Sequence, residues 1–214
     1  MLIEIILLIL LIISIVFVSF MIFWKFYFLR DPDRFIPKGD NLVSPADGKI
    51  MYISKFNNKN LKNKSIEIKK SFIGRINTLT TDVCKEGYII SIFMSPLDVH
   101  INRAPMKGKI KYQKHVNGKF LFASDLSSII ENEKNEIIID NNKFKIKVIQ
   151  VAGFVARKIE SFVKVNDNLE KGQRFGLINL GSQVNVIFPN NFKPNVKLGD
   201  KVKAGTSIIA VKNK

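Results

Sequence analysis

Three side chains with complementary chemistry lie in short, turn-bounded stretches of this chain: an acid at Asp47, a histidine at His100 and a hydroxyl at Ser182. Asp47 belongs to the stretch Leu42 to Lys49, His100 to Phe93 to Pro105, and Ser182 follows Gly181 in Arg174 to Gln183. A serine hydroxyl is a weak nucleophile at neutral pH and needs a neighbouring base. Histidine is the side chain poised for that role, and an acid can orient it and stabilise the charged ring. A glycine before the nucleophile leaves its carbonyl unshielded and permits a strained turn. Taken singly, each residue has a plain structural explanation. Asp47-Gly48 is a common turn pair, Gly181-Ser182 is an ordinary turn dipeptide, and a histidine after a β run is usually packed or solvated. Together they can form a triad for nucleophilic chemistry.

Other chemistries find less support. The chain has two histidines, His100 and His115, and no C-x-x-C, H-E-x-x-H or H-x-H pattern, so no metal site is expected. No phosphate-binding glycine loop or Gly-x-Ser-x-Gly elbow is present. His115 lies among Lys114, Asn117 and Lys119 and reads as solvated or close to the site. The single cysteine, Cys84, excludes a disulfide scaffold and reads as a buried or half-buried thiol.

The elements that must position these residues begin with an apolar head. Ile5 to Trp24 is a run of 20 residues without a charge, enough for a helix across a bilayer. Glu4 in place of a positive start, and a bulky end at Phe23-Trp24-Lys25-Phe26-Tyr27, favour a retained anchor over a signal peptide. Lys25, Arg30, Arg34 and Lys38 follow the run, so the positive-inside rule puts the remainder in the cytoplasm, at the inner membrane. The prolines and charges of residues 25–41 read as a juxtamembrane linker.

The formal charge of the 214-residue chain is +16, and the first 24 residues contribute one ionisable side chain, Glu4. The basic excess therefore belongs to the body, where it suits an anionic membrane surface. With 46% hydrophobic residues and 17 Phe the body can bury a core and is not disordered. Its pattern predicts a mainly β domain over 42–214. Strands are expected at Gly48 to Phe56, Lys64 to Lys70, Gly87 to Met94, Lys107 to Tyr112, Asn135 to Asp140, Phe144 to Ala152 and Gln183 to Phe188. Ala156 to Phe162 is expected as one short helix. The C-terminal run Val196 to Val211, with turns at Gly199-Asp200 and Ala204-Gly205, resembles the hammerhead turns of barrel-sandwich hybrid domains, without a carrier lysine at a hairpin tip.

Seven motifs in order resemble those of the phosphatidylserine decarboxylase proenzymes, in their short prokaryotic form. They are Arg30-Asp31-Pro32, Ser44 to Gly48, Asp98 to Asn102, Gly118 to Ala123, Glu131 to Lys134, Gln150 to Gly153 with Ala156-Arg157, and Arg174 to Gly176 leading into Gly181-Ser182. The resemblance runs from Phe28 to the C-terminus. It implies self-cleavage at Gly181–Ser182 into a β chain, 1–181, and an α chain, 182–214, held together noncovalently as a heterodimer. Ser182 would become a pyruvoyl group, the covalent cofactor, and form a Schiff base with the amine of phosphatidylserine, whose decarboxylation gives phosphatidylethanolamine. His100 is the implied base and proton donor, and Asp47 its orienter. His115, Gln183 and Arg157 are candidate substrate contacts; Gln183 stands where the short form usually has Arg. The implied partners are phosphatidylserine and the bilayer, with no nucleic acid. Three other readings are a noncatalytic membrane-anchored adaptor, a zinc peptidase of related topology that would need more histidines, and a decarboxylase of another serine lipid such as archaetidylserine.

Overall fold

The structure, a computed structural model, describes residues 1–57, 82–118, 132–153, 158–179 and 182–213. In chain order its elements are helix α1 (Leu2–Ile22) with a π-helical turn (Phe23–Phe28), then β1 (Asn41–Val43), β2 (Gly48–Asn57), β3 (Glu86–Met94), β4 (Ile101–Arg103), β5 (Gly108–Val116), β6 (Lys134–Asp140), β7 (Lys145–Val151), β8 (Ile159–Ser161), β9 (Asn168–Leu169), β10 (Arg174–Ile178), β11 (Ser182–Pro189), β12 (Phe192–Pro194), β13 (Lys201–Val202) and β14 (Ile208–Lys212).

The head forms the expected helix. With the π turn it is long and apolar enough to cross a bilayer, and none of its most apolar window is covered by the body. The helical backbone continues past Trp24 to Phe28, inside the segment expected as a linker. The rest of that segment is pinned to the body. Arg34 pairs with Asp47 at 2.8 Å, and Asp31 receives Arg103 at 2.6 Å and also Arg174.

The body is mainly β. Eight strands form one sheet in the order β13-β2-β3-β11-β7-β6-β5-β9, and two three-stranded sheets, β1-β14-β12 and β4-β10-β8, complete it. All the pairings are antiparallel. Alternation sends Ile90, Ile92 and Met94 of β3, Val184, Val186 and Phe188 of β11, and Ile146 and Val148 of β7 into the main core. The opposite face of the same strands carries a smaller cluster of Ile89, Ile149, Val151 and Ile187 with Phe56. Strands buried on both faces read as continuous apolar runs, as Ile137 to Ile139 of β6 does; β7 alternates in sequence yet is covered on both faces, with Lys147 buried against Asp82 and Glu136.

Six of the seven expected strands form, each within a few residues of its expected bounds. The seventh, Lys64 to Lys70, lies outside the described residues. The short helix expected at Ala156 to Phe162 is corrected at its described end. Ile159–Ser161 is strand β8, paired with Gly176–Ile178 of β10. The ladder available from β10 outweighs a weak local helical period.

Gly48 sets the register next to Asp47. Its φ is +147°, and a Cβ there would lie 2.1 Å from the Phe93 carbonyl oxygen on β3. Gly48→Ala is expected to cost on the order of 1–3 kcal/mol and to lower the melting temperature by roughly 6 °C, read by calorimetry. An unchanged melting temperature would refute the close approach.

Candidate active site

Ser182 opens β11, opposite Met94 of β3, and its side chain is fully buried on the main-core face. Its Oγ donates to the Met94 Sδ at 3.3 Å. A thioether is a weak acceptor, so the hydroxyl is only lightly held. Asn102 Nδ2 points at the same sulfur from 3.7 Å. Behind it, Gln150 Nε2 donates to Asn102 Oδ1 and Asn135 Nδ2 donates to Gln150 Oε1, both at 2.8 Å. A buried row of amides thus links β6, β7 and β4 to the sulfur that meets Ser182.

His100 directly precedes β4 and is fully buried. Its Nδ1 lies 2.9 Å from the Asp98 main-chain oxygen. A carbonyl can only accept, so in the neutral ring Nδ1 carries the hydrogen and Nε2 keeps a lone pair. Nε2 is buried and has no hydrogen-bond partner among the described residues. Burial drives the His100 pKa down to about 4; the Asp98 contact opposes this more weakly, and the Arg30 charge adds a little to it. The ring is therefore a neutral base at physiological pH. The Asp98 carboxylate braces its own loop, accepting from the Ser95 amide and hydroxyl, both at 2.7 Å. Arg30 reaches the same loop by donating to the Leu97 carbonyl. The Phe28 ring lies over the imidazole at 4.3 Å between centroids, and Trp24 stacks on Phe28 at 4.5 Å.

The expected Asp47–His100 contact is not formed. Asp47 Oδ2 accepts from Arg34 at 2.8 Å, and Oδ1 accepts from the Ala204 amide at 2.7 Å. Both carboxylate oxygens are occupied on the side of β2 that meets the C-terminal turns, and the main chain of Asp98 orients His100 instead. No hydrogen bond joins His100 to Ser182; the nucleophile and the base are both buried but unbonded to each other. Catalytic hydrogen bonds often tighten only as the reaction proceeds.

The remaining candidates separate. Gln183 points to the opposite face of β11 from Ser182, and donates to Asn185 Oδ1 at 3.0 Å. His115 is about half exposed, with Nε2 3.2 Å from Glu133. Through the pairs His115–Asn135, Asn135–Gln150 and Gln150–Val184 it stands three strands from β11, roughly 14 Å. Gly181 and Arg157 lie outside the described residues. Cys84 is no nucleophile at neutral pH, because burial, and then Asp82, push its thiol up to about 11. Sequence reasoning missed Met94, Phe28 and the Asp98 carbonyl. Asn102 and Gln150 lay inside motifs already singled out, yet no role had been assigned to them.

The profile described as phosphatidylserine decarboxylase matches residues 23–210. A Methanocaldococcus jannaschii protein with the provisional name archaetidylserine decarboxylase proenzyme is 43% identical over 189 residues, covering 87% of this chain and 88% of its own. A phosphatidylserine decarboxylase proenzyme of Chlorobium phaeobacteroides is 42% identical over 184 residues, covering 86% of this chain and 76% of its own. One from Geotalea uraniireducens is 36% identical over 187 residues, covering 86% and 78%.

The buried histidine has a measurable signature. A folded pKa below the ordinary 6.5 means that folding favours the neutral ring. The resulting stabilisation is complete above about pH 6.5 and is lost as the pH falls through about 4. The His100 ring resonances are expected to keep their neutral positions down to pH 5 and to titrate near 4. A midpoint near 6.5 would show a hydrated ring.

Proposed function

Because the chain belongs to the phosphatidylserine decarboxylase family, we propose that it is a membrane-anchored phosphatidylserine decarboxylase that makes its own pyruvoyl group from Ser182. The observations that support this reading are a buried hydroxyl on Ser182, lightly held by the Met94 sulfur, and a buried neutral His100 whose Nε2 has no hydrogen-bond partner among the described residues. His100 Nε2 takes the hydroxyl proton as Ser182 Oγ adds to the Gly181 carbonyl carbon. The peptide C–N bond breaks, leaving an ester and a free amine on Ser182. Loss of the α hydrogen expels the Gly181 carboxylate, and water then replaces the nitrogen as ammonia. The product on residue 182 is uncharged, which suits a fully buried position against Met94.

The pyruvoyl group supplies an electrophilic carbonyl that takes the substrate amine and accepts the electron pair released as carbon dioxide leaves. The chain's own residues do the rest. His100 takes the proton that the substrate ammonium must lose before its amine can condense, and returns it to the substrate α carbon after carbon dioxide leaves. The row Asn135, Gln150 and Asn102 keeps Met94 fixed against residue 182. After cleavage the 182–214 fragment stays in place, because β11 is laddered to β3 over Ser182 to Pro189 and to β7 over Gln183 to Ile187, while β13 and β14 pair with β2 and β1.

The anchor supports a site at the headgroup plane, and the basic flank after it supports a cytoplasmic body. The serine headgroup chemistry is the same on ester and ether lipids, so assays on phosphatidylserine and archaetidylserine vesicles distinguish the two substrates. The purified chain is expected to run as two fragments on a denaturing gel, with 182–214 blocked by pyruvate on mass spectrometry. Ser182→Ala should remain whole, and His100→Ala should cut at least ~10²-fold more slowly. A single intact wild-type chain, or normal cutting in either variant, refutes the assignment.

A further inference from the structure

We infer that Phe28, delivered by the last turn of the membrane helix, is a positioning residue for His100: its ring closes one face of the imidazole, making the anchor a working part of the site. The inference rests on the decarboxylase reading for its purpose, but its geometry stands by itself. Phe28 is fully buried although it ends a helix whose other residues are mostly exposed. It leaves the helix through a π turn, which rotates its side chain relative to a regular α-helical course. Trp24 backs it, and Arg30, two residues on, is fixed by donating to the Tyr27 and Leu97 carbonyls. Asp31 then binds Arg103, and Arg34 binds Asp47. The chain is therefore held directly after Phe28, and the aromatic ring cannot drift from the histidine without straining these contacts and its stack on Trp24.

The consequence is chemical. With Nδ1 on the Asp98 carbonyl and Phe28 over the ring, Nε2 is the one free polar atom of His100 and it is dry. A hydrated Nε2 would exchange protons with solvent, and the proton that the reaction must return to the substrate would be lost to water. The charged groups acting on the ring are Asp98 and Arg30, and both belong to the same loop-and-anchor assembly. The anchor end thus sets access to the base from the membrane side.

The test uses the full chain in detergent micelles and diethyl pyrocarbonate, which acylates accessible neutral imidazole. His115, about half exposed, is the internal reference. In the wild type, His115 is expected to be labelled and His100 protected, by mass spectrometry of the two peptides. In Phe28→Ala, His100 should label roughly tenfold faster and its ring titration should move from near 4 upward toward 6.5, with His115 unchanged. Phe28→Leu, a smaller change if Phe28→Ala loses its cooperative melt, should fall between the two, and Phe28→Trp should restore protection. Equal protection of His100 in both smaller variants, or full labelling in the wild type, overturns the inference. Because labelling does not require activity, a wild type that protects His100 but never cleaves would refute the decarboxylase reading and leave this one standing.

Discussion

The hydrogen bond from His100 Nδ1 to the Asp98 carbonyl is the constraint around which this site is built. It fixes the tautomer, and so leaves Nε2 as the nitrogen with a lone pair to offer. A carboxylate in the same place would have stabilised the charged ring and raised its pKa; a main-chain carbonyl orients the ring with a much weaker electrostatic pull. Desolvation then dominates, and the ring stays neutral. The loop that presents the carbonyl is closed by its own Asp98–Ser95 contacts, so its geometry does not depend on a distant acid. The Asp47 carboxylate seats Arg34 and the Ala204 amide and makes no hydrogen bond to the His100 ring.

That second role matters because the anchor must be held at a defined distance from the body. Arg34–Asp47 is nearly buried at both ends, and Arg103–Asp31 nearly so at the arginine. Buried ion pairs of this kind add little net stability over well-packed apolar residues, since both charges lose their water. Removing one partner, however, strands a buried charge at about 3–5 kcal/mol. Such pairs act as position markers more than as glue. Here they mark where the segment after the helix crosses the body, with Phe28 on one side and the Asp47 turn on the other. The motif Arg30-Asp31-Pro32 therefore has a mechanical meaning: Arg30 holds the loop before His100, and Asp31 holds Arg103 at the end of β4 together with Arg174 of β10.

Much of this architecture was legible beforehand, for identifiable reasons. Lys143 to Ile149 alternates cleanly and forms β7, and the Ile137 to Ile139 run matches β6, a strand covered on both faces. Ser182, His100 and Asp47 stood out because their side-chain types carry chemistry. The Asp98 carbonyl did not, because every residue has one and side-chain type says nothing of where a carbonyl points. Phe28 reads only as the first residue of the stretch after the aromatic end, within the juxtamembrane linker, since nothing in the local sequence distinguishes a ring in lipid headgroups from a ring on a histidine. Asp31 and Arg34 looked like linker charges because their partners are 72 and 13 residues away. The β8 strand was hidden for the same reason: its partner β10 contributes the ladder that Ile159–Ser161 cannot suggest alone.

The net charge of +16 divides along the same line. Each arginine among the described residues is engaged: Arg30 with the Tyr27 and Leu97 carbonyls, Arg34 with Asp47, Arg103 and Arg174 with Asp31. Arginine suits this work because its planar fork satisfies several acceptors at once and stays charged when desolvated. The surplus is carried by lysines, several of them at exposed strand positions such as Lys111 and Lys114 of β5 and Lys145 of β7. A lysine field is diffuse and well hydrated. It attracts anionic lipid at about 1 kcal/mol per residue near the surface without binding any one headgroup tightly. Arginines therefore hold fixed pairs inside the body, while exposed lysines carry most of its surplus charge. Exchanging the two types would preserve the net charge while weakening the fixed pairs that hold the anchor against His100.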